Sequence, residues 1–397
     1  MRNKPQTMSL ACLATLGMAL GFFPTASAAP CNQTFVVQHG RLVTVLPTGV
    51  DDTGNLQCAF DSAVAAGPGG TVQLERGTYH TRQIVVNNFK GTFIGAGAES
   101  SVLTNLPNLH VTPVDMYDYP PSATNPWPSL VSFVGGSFQV SDVGIHITGA
   151  TPTTGWTIFG FPTLYDLAHG FAVLGTTANA SFSRVDVEGE YSPNPVCNYN
   201  LYNGIYFEGF IGAVSPPISG SFVVHDSTFQ HLGSATPVTN LSHASVLISH
   251  NKYQDVFDAM DVSGLINSWY DFSFNTVEGT YGGYLYDGLP VSMVTQVTSS
   301  EILVTNNVFS GQYGVYLDAT FGGGATCQVL SNTLQNVTDL GIYLGIGTSH
   351  CLVMGNGNTT IQNLGSDNVI LGKASTPKTI SGPTPQLLHL GWSGAHR

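Results

Sequence analysis

Ser245-Val-Leu-Ile-Ser-His-Asn251-Lys-Tyr253, Tyr270-Asp-Phe-Ser-Phe-Asn275-Thr-Val277, Glu301-Ile-Leu-Val-Thr-Asn-Asn307-Val-Phe309 and Cys327-Gln-Val-Leu-Ser-Asn332-Thr-Leu334 share one pattern. Each is an alternating apolar run, an Asn, one further residue and an apolar residue. The Asn positions are 24, 32 and 25 residues apart, and Asn356 follows 24 residues later. A second run follows each: Gly283-Tyr-Leu-Tyr-Asp287, Gly314-Val-Tyr-Leu-Asp318 and Gly341-Ile-Tyr-Leu-Gly345, with Gly204-Ile-Tyr-Phe-Glu208 and Ala259-Met-Asp-Val-Ser263 as earlier members.

A unit of roughly 25 residues with two or three short strands cannot bury its apolar face alone, whereas stacked units bury it continuously. The pattern therefore predicts an all-β, single-stranded right-handed parallel β-helix. The recurrent Asn reads as an internal ladder that satisfies backbone groups at a bend, with no chemistry assigned to it. Cys327 and Cys351 each precede a ladder Asn by five residues. Adjacent stacked strands sit about 4.8 Å apart, within reach of a disulfide. Cys327–Cys351 is the expected bridge, and Cys31–Cys58 a second.

The chain opens on a secretory signal pattern at 1–28: basic Arg2 and Lys4, an apolar core from Met8 to Phe23, and small residues Ala26-Ser27-Ala28. That core is too short to anchor in a membrane, and no later window is apolar enough to span one. The expectation is a secreted protein, extracellular or periplasmic according to its host. An N-terminal extension at 29–50 follows, then the repeat domain at 51–372 and a Pro- and Gly-rich tail at 373–397.

Composition suits many short strands joined by tight turns: 46 Gly, and charged residues only 9% of the chain. Removing the signal leaves nine of the 11 Lys/Arg against 24 Asp/Glu, a formal balance of −15. From Gly91 to Gly372 only Arg184 and Lys252 are basic. Nucleic acid needs a cationic stripe and is excluded as a partner. A polyanionic glycan would be repelled unless a metal ion intervened. Five cysteines survive cleavage, so one, Cys197 on the pairings above, is left over.

Asp52-Thr-Gly-Asn-Leu-Gln-Cys-Ala-Phe-Asp61-Ser-Ala-Val-Ala-Ala-Gly67 reads as a short amphipathic helix. Gly69-Gly-Thr-Val-Gln-Leu-Glu-Arg-Gly-Thr-Tyr79 follows it, then Gly91-Thr-Phe-Ile-Gly-Ala-Gly97. This resembles the N-terminal cap and first coils of pectate-lyase-like β-helix proteins, in which a helix plugs the open end of the core. The resemblance implies the scaffold and not an activity, since that scaffold carries lyases, hydrolases, epimerases and adhesins. The Asn-x-Asp, Asp pair, Gly-His-Gly and Arg-x-Lys of its polygalacturonase branch have no suitably placed match here. Of the lyase branch only Arg184 could serve as base. Arg184 aligns with Asp226 and then His250 on successive coils, and an Arg184–Asp226 salt bridge is the structural alternative.

The second-run column is the more suggestive. Alternation places Ile205, Met260, Tyr284, Val315 and Ile342 inside, so Tyr206, Asp261, Leu285, Tyr316 and Tyr343 face out. Two residues on come Glu208, Ser263, Asp287, Asp318 and Gly345. Acids interleaved with tyrosines suit a glycan, because sugar rings stack on aromatic faces and paired carboxyls hydrolyse glycosidic bonds. The same acids could equally form a solvated face or hold Ca2+ between coils. Asp255 and Asp258 on the preceding turn could contribute to either. His169, His225 and His250 stand isolated, no pair has zinc-ligand spacing, and Asp186, Glu188 and Glu190 read as a solvated turn.

The reading is a monomeric glycoside hydrolase acting on a neutral or weakly charged polysaccharide. Asp261 and Asp287 form its acid/base pair, with Asp318 or Glu208 assisting. Tyr206, Tyr316 and Tyr343 supply subsites, and Arg184 and His250 further polar contacts. No cofactor is required, and Ca2+ is the ion the acids could hold. The rivals are a calcium-dependent polysaccharide lyase using Arg184 and a non-catalytic glycan-binding surface or matrix protein.

Overall fold

The computed structural model describes residues 31–106, 129–148, 157–158, 161–162, 167–190, 201–208, 218–286, 297–357 and 359–371. The expected signal, the tail, Cys197 and Asp287 lie outside them. The described chain is all-β with one helix, and nearly every strand pairs in parallel with a strand of the preceding and of the following coil.

Trp269–Ser273, Glu301–Thr305, Thr326–Leu330 and Cys351–Met354 stack in that order, with Tyr270, Ile302, Cys327 and Cys351 in one register row. Lys252–Ile266, Thr276–Tyr286, Val308–Asp318 and Thr333–Leu344 stack likewise. Alternation sends Val246, Tyr270, Ile302 and Cys327 into one continuous core. Full burial of a Val, Ile or Leu side chain is worth roughly 1.5–3 kcal/mol, and the stack repeats that gain at every coil.

The Asn ladder is present. Asn275 Oδ1 accepts from the Asn251 backbone N–H at 2.9 Å and from Asn251 Nδ2 at 3.1 Å. Asn307, Asn332 and Asn356 repeat both bonds, and each Nδ2 also donates to a core-strand carbonyl. The residue that begins each bend is left-handed: Asp142, Arg184, Asp226, His250, Phe274, Asn306 and Ser331 have φ between 51° and 59°. Side chains resist that conformation by about 1–2 kcal/mol, and the buried ladder bonds hold the bend in place.

The helix, Thr53–Ala65, covers the first coil. Phe60 meets the rings of Phe89, Phe93 and Phe133 at 5.6, 5.0 and 5.9 Å. Asp52 is fully buried and accepts from the Thr48 and His80 backbone N–H groups, tying the cap to the first coil. An antiparallel hairpin, Val36–His39 with Leu42–Val45, precedes the helix within the expected N-terminal extension. Cys31–Cys58 and Cys327–Cys351 are both bridged, with Cα atoms 5.6 and 4.4 Å apart. No helix among the described residues is long and apolar enough to cross a membrane.

Candidate active site

The strands that carry the acids enter from a bend occupied only by small residues. Gly170, Gly204, Ala235, Ala259, Gly282, Gly314 and Gly341 fall in one register row. At Gly204 a Cβ would come within 2.9 Å of the Phe229 ring, so the chain there must pass close over the core. The bend interrupts alternation. The residue before it (His169, Asn203, Ser234, Asp258, Tyr313) shares a face with the residue three positions later (Tyr206, Asp261, Tyr316). Contacts between the two rows follow: His169 stacks on Tyr206 at 4.4 Å, Ser234 Oγ donates to Asp261 Oδ2 at 3.3 Å, and Tyr313 meets Tyr316 edge-on at 6.5 Å.

The first row is buried and polar: His169, Asn203, Ser234 and Asp258 are each at most 6% exposed. Asn203 Nδ2 and His169 Nδ1 are 2.9 Å apart. Burial pushes the His169 imidazole well below its usual range, so it is neutral. Asp258 is driven well above the carboxylate range, by burial first and by the neighbouring Asp261 charge second. Burial likewise pushes Asp261 up to about 7, against the hydrogen bond from Ser234. Asp258 Oδ1 is enclosed without a hydrogen-bond partner. Two neighbouring carboxyls that hold a proton near neutrality can divide acid and base roles between them.

Tyr206, Asp261, Tyr316 and Tyr343 share the expected row, but Leu285 does not belong to it. Tyr284 pairs with Asp261 and Tyr316, while Leu285 pairs with the inward Val262 and Leu317. The cause is the double glycine Gly282-Gly283. The first of the two occupies the small-residue bend, so the expectation, anchored on the second, slips by one residue. In consequence Tyr286, and not Asp287, is the partner of Asp318 and Ser263. The proposed Asp287–Asp318 and Asp261–Asp287 spacings rest on that slipped register, and Asp287 itself lies outside the described residues.

Tyr316 and Tyr343 stack at 4.3 Å, with 14° between their planes. Tyr206 and Tyr316 are 4% and 8% exposed, because Tyr206 stacks on His169 and Tyr316 packs against Tyr313 and Tyr343. They are not open platforms as expected; Tyr343, half-buried, is the more accessible ring. Burial, and then the Asp318 charge, raises the Tyr343 hydroxyl pKa. Glu208 and Asp318 fall in one register row, two coils before and two coils after Ser263 respectively.

Arg184 and His250 align as expected, in the left-handed row at a different corner of the coil. The Arg184 partner is Asp142 on the preceding coil and not Asp226. Its Nε and one Nη lie 2.7 Å from the two Asp142 oxygens. This fork holds the Asp142 carboxyl below its usual range. His250 stacks on Phe274 at 5.1 Å. Neither is brought to Asp261. His225, read as isolated, lies 2.7 Å from Asp226.

Two groupings escaped the sequence reading. One is the buried polar row, signalled only by the small residue that follows each member. The other gathers His146, Asp186 and Glu188, one donor atom from each lying within 4.8 Å of the others, on an outer strand of the coil. Elsewhere an open groove of about 750 Å3 runs over Ser221, His243, Asn267, Trp269 and Glu301; Asp258 and Asp261 do not line it.

No protein family profile and no curated protein matches the sequence. Several solved structures resemble the chain at low identity and low TM-score. The A-module of a mannuronan C-5 epimerase of Azotobacter vinelandii is 17% identical with a TM-score of 0.37, covering 83% of this chain and 97% of that one. A polygalacturonase from Erwinia carotovora ssp. carotovora is 10% identical with a TM-score of 0.43, covering 89% and 99%. The catalytic domain of a GH87 alpha-1,3-glucanase is 11% identical with a TM-score of 0.31, covering 88% and 68%. Scores this low carry no argument about fold, substrate or reaction.

Proposed function

We propose that the chain is a secreted glycoside hydrolase that cleaves a neutral or weakly charged polysaccharide along the outer face of a right-handed coil. The observation that carries this reading is the Asp258–Asp261 carboxyl pair, held on one face with both proton affinities raised, that of Asp261 to about 7. Asp261 is half-buried and is the member a sugar can reach. It acts as general acid, delivering its proton to the glycosidic oxygen, while Asp258 keeps the site's charge to a single carboxylate. Glu208 and Asp318 each stand two coils along the axis and two residues along the strand from Asp261, roughly 12 Å at the backbone; side-chain reach must close this to about 9 Å for either to be the second carboxylate of an inverting pair. Tyr343, stacked on Tyr316, supports a sugar ring further along the coil.

Export is supported by the two disulfides and the N-terminal pattern. The scarcity of cations supports a substrate of low charge. The bidentate engagement of Arg184 by Asp142 weighs against the lyase reading, which needs that guanidinium as a base. The test is a panel of neutral and acidic polysaccharides scored for new reducing ends and for ultraviolet-absorbing products. Hydrolysis gives the first without the second; a lyase gives both. A chain that is retained on a glycan column and yields neither product is a binding protein, and the proposal fails.

A further inference from the structure

We propose that His146, Asp186 and Glu188 form a binding site for a divalent transition-metal ion of the Zn2+ class, clamping successive coils together on a face separate from Asp261. His146 ends the strand Gly144–His146, and Asp186–Glu188 is its parallel partner on the next coil. Register pairs His146 with Glu188, about 4.8 Å away at the backbone. Ile145 and Val187 between them are fully buried, so His146, Asp186 and Glu188 all point outward.

The donor atoms converge. His146 Nε2 lies 3.1 Å from Asp186 Oδ2 and 3.9 Å from Glu188 Oε2. Bonds of about 2.0–2.2 Å in a tetrahedral shell set donor atoms roughly 3.3–3.6 Å apart, and the two observed distances bracket that span. The other Asp186 oxygen, Oδ1, is enclosed without a hydrogen-bond partner. The next two coils extend the arrangement. His231 Nδ1 stands 3.7 Å from Glu188 Oε1, and His231 Nε2 stands 3.9 Å from Asp255 Oδ2. His231 and Asp255 are left-handed, with φ of 54° and 52°, which turns both side chains at the same corner of consecutive coils.

The donor chemistry selects the ion. An imidazole with two carboxylates suits Zn2+ and its first-row neighbours, whereas Ca2+ takes oxygen ligands alone. Three protein donors leave a fourth position for water or for a movement of His231. Because the ligands come from successive coils, occupancy stabilises the stack in the manner of an inter-coil clasp. The ordinary alternative is a plain His146–Asp186 ion pair, which binds no metal.

The test is calorimetric titration of the untagged full chain, stripped with chelator and dialysed, with Zn2+ alone. The expected result is one ion per chain at micromolar affinity or tighter, with a higher thermal midpoint when it is bound. Asp186→Asn and Glu188→Gln should each weaken binding at least tenfold, while His250→Ala, at a distant corner, leaves it unchanged. Loading the unmodified chain with Co2+ gives a readout that depends on no variant: visible absorption of the intensity of a four- or five-coordinate ion. Failure to bind Zn2+ saturably would overturn the proposal. Unchanged affinity in both ligand variants, or only the weak spectrum of hydrated Co2+, would do the same.

Discussion

Asp258 and Asp261 share one outer face although they stand three residues apart on one strand, a spacing that alternation would divide between opposite faces. The bend at Ala259 accounts for it, since Ala259 and Met260 both turn into the core and leave the two carboxyls together outside. Replacing Ala259 by Leu should push the bend apart and uncouple the pair. The expected outcome is loss of the raised carboxyl titration, read by carboxyl-region infrared spectroscopy across pH, in a chain that keeps its β circular dichroism.

Stability should depend on pH through the same two groups. Their folded proton affinities are raised, so between about pH 4 and 7 the folded chain binds more protons than the unfolded one, and stability falls as pH rises through that window. At about 1.4 kcal/mol per tenfold change in proton affinity, the effect amounts to a few kcal/mol. Thermal midpoints measured from pH 5 to pH 8 should decline for the unmodified chain. The decline should be shallower in Asp261→Asn, which carries no charge at that position.

The ladder predicts a sharper structural effect. Asn307→Ala removes the acceptor of both the Asn275 backbone N–H and Asn275 Nδ2, and the donor to the Phe272 carbonyl, all buried. Groups orphaned in this way cost about 1–3 kcal/mol each. A loss of order 3 kcal/mol in denaturant unfolding is expected, against about 1 kcal/mol for Asn267→Ala, whose exposed corner is left-handed but buries no ladder bond.

Peptide mapping without reduction should yield Cys327 joined to Cys351, two residues 24 apart in the chain. Cross-linking a loop of this length stabilises by about 3 kcal/mol, so Cys327→Ala should lower the midpoint accordingly. Recovery of both residues as free thiols would contradict the register.

The coil, the ladder and the Cys327–Cys351 bridge are legible because each follows from a period, Asn every 24 to 32 residues and inward residues at every second position, while the cap is legible from its amphipathic stretch and its resemblance. The site was only partly legible. Tyr206, Asp261, Tyr316 and Tyr343 fall in their expected row, but Gly282-Gly283 offers two equivalent anchors and the linear pattern does not say which one occupies the bend. That one-residue ambiguity misplaced Leu285 and removed the basis for pairing Asp287 with Asp261. Strict alternation leaves Asp258 on the preceding turn, because it has no means of representing a bend that puts residues i and i+3 on one face. His146 and Glu188 lie 42 residues apart in the chain, so no local ligand spacing could connect them; only the register does.

The most direct measurement is the rate of reducing-end release from the best substrate of a polysaccharide panel by the unmodified chain and by Asp261→Asn, at pH 6. The expected result is a loss of at least a thousandfold in kcat, with retention on the same glycan and the thermal midpoint preserved. Unchanged turnover in Asp261→Asn would contradict the assignment of this face as the site of hydrolysis.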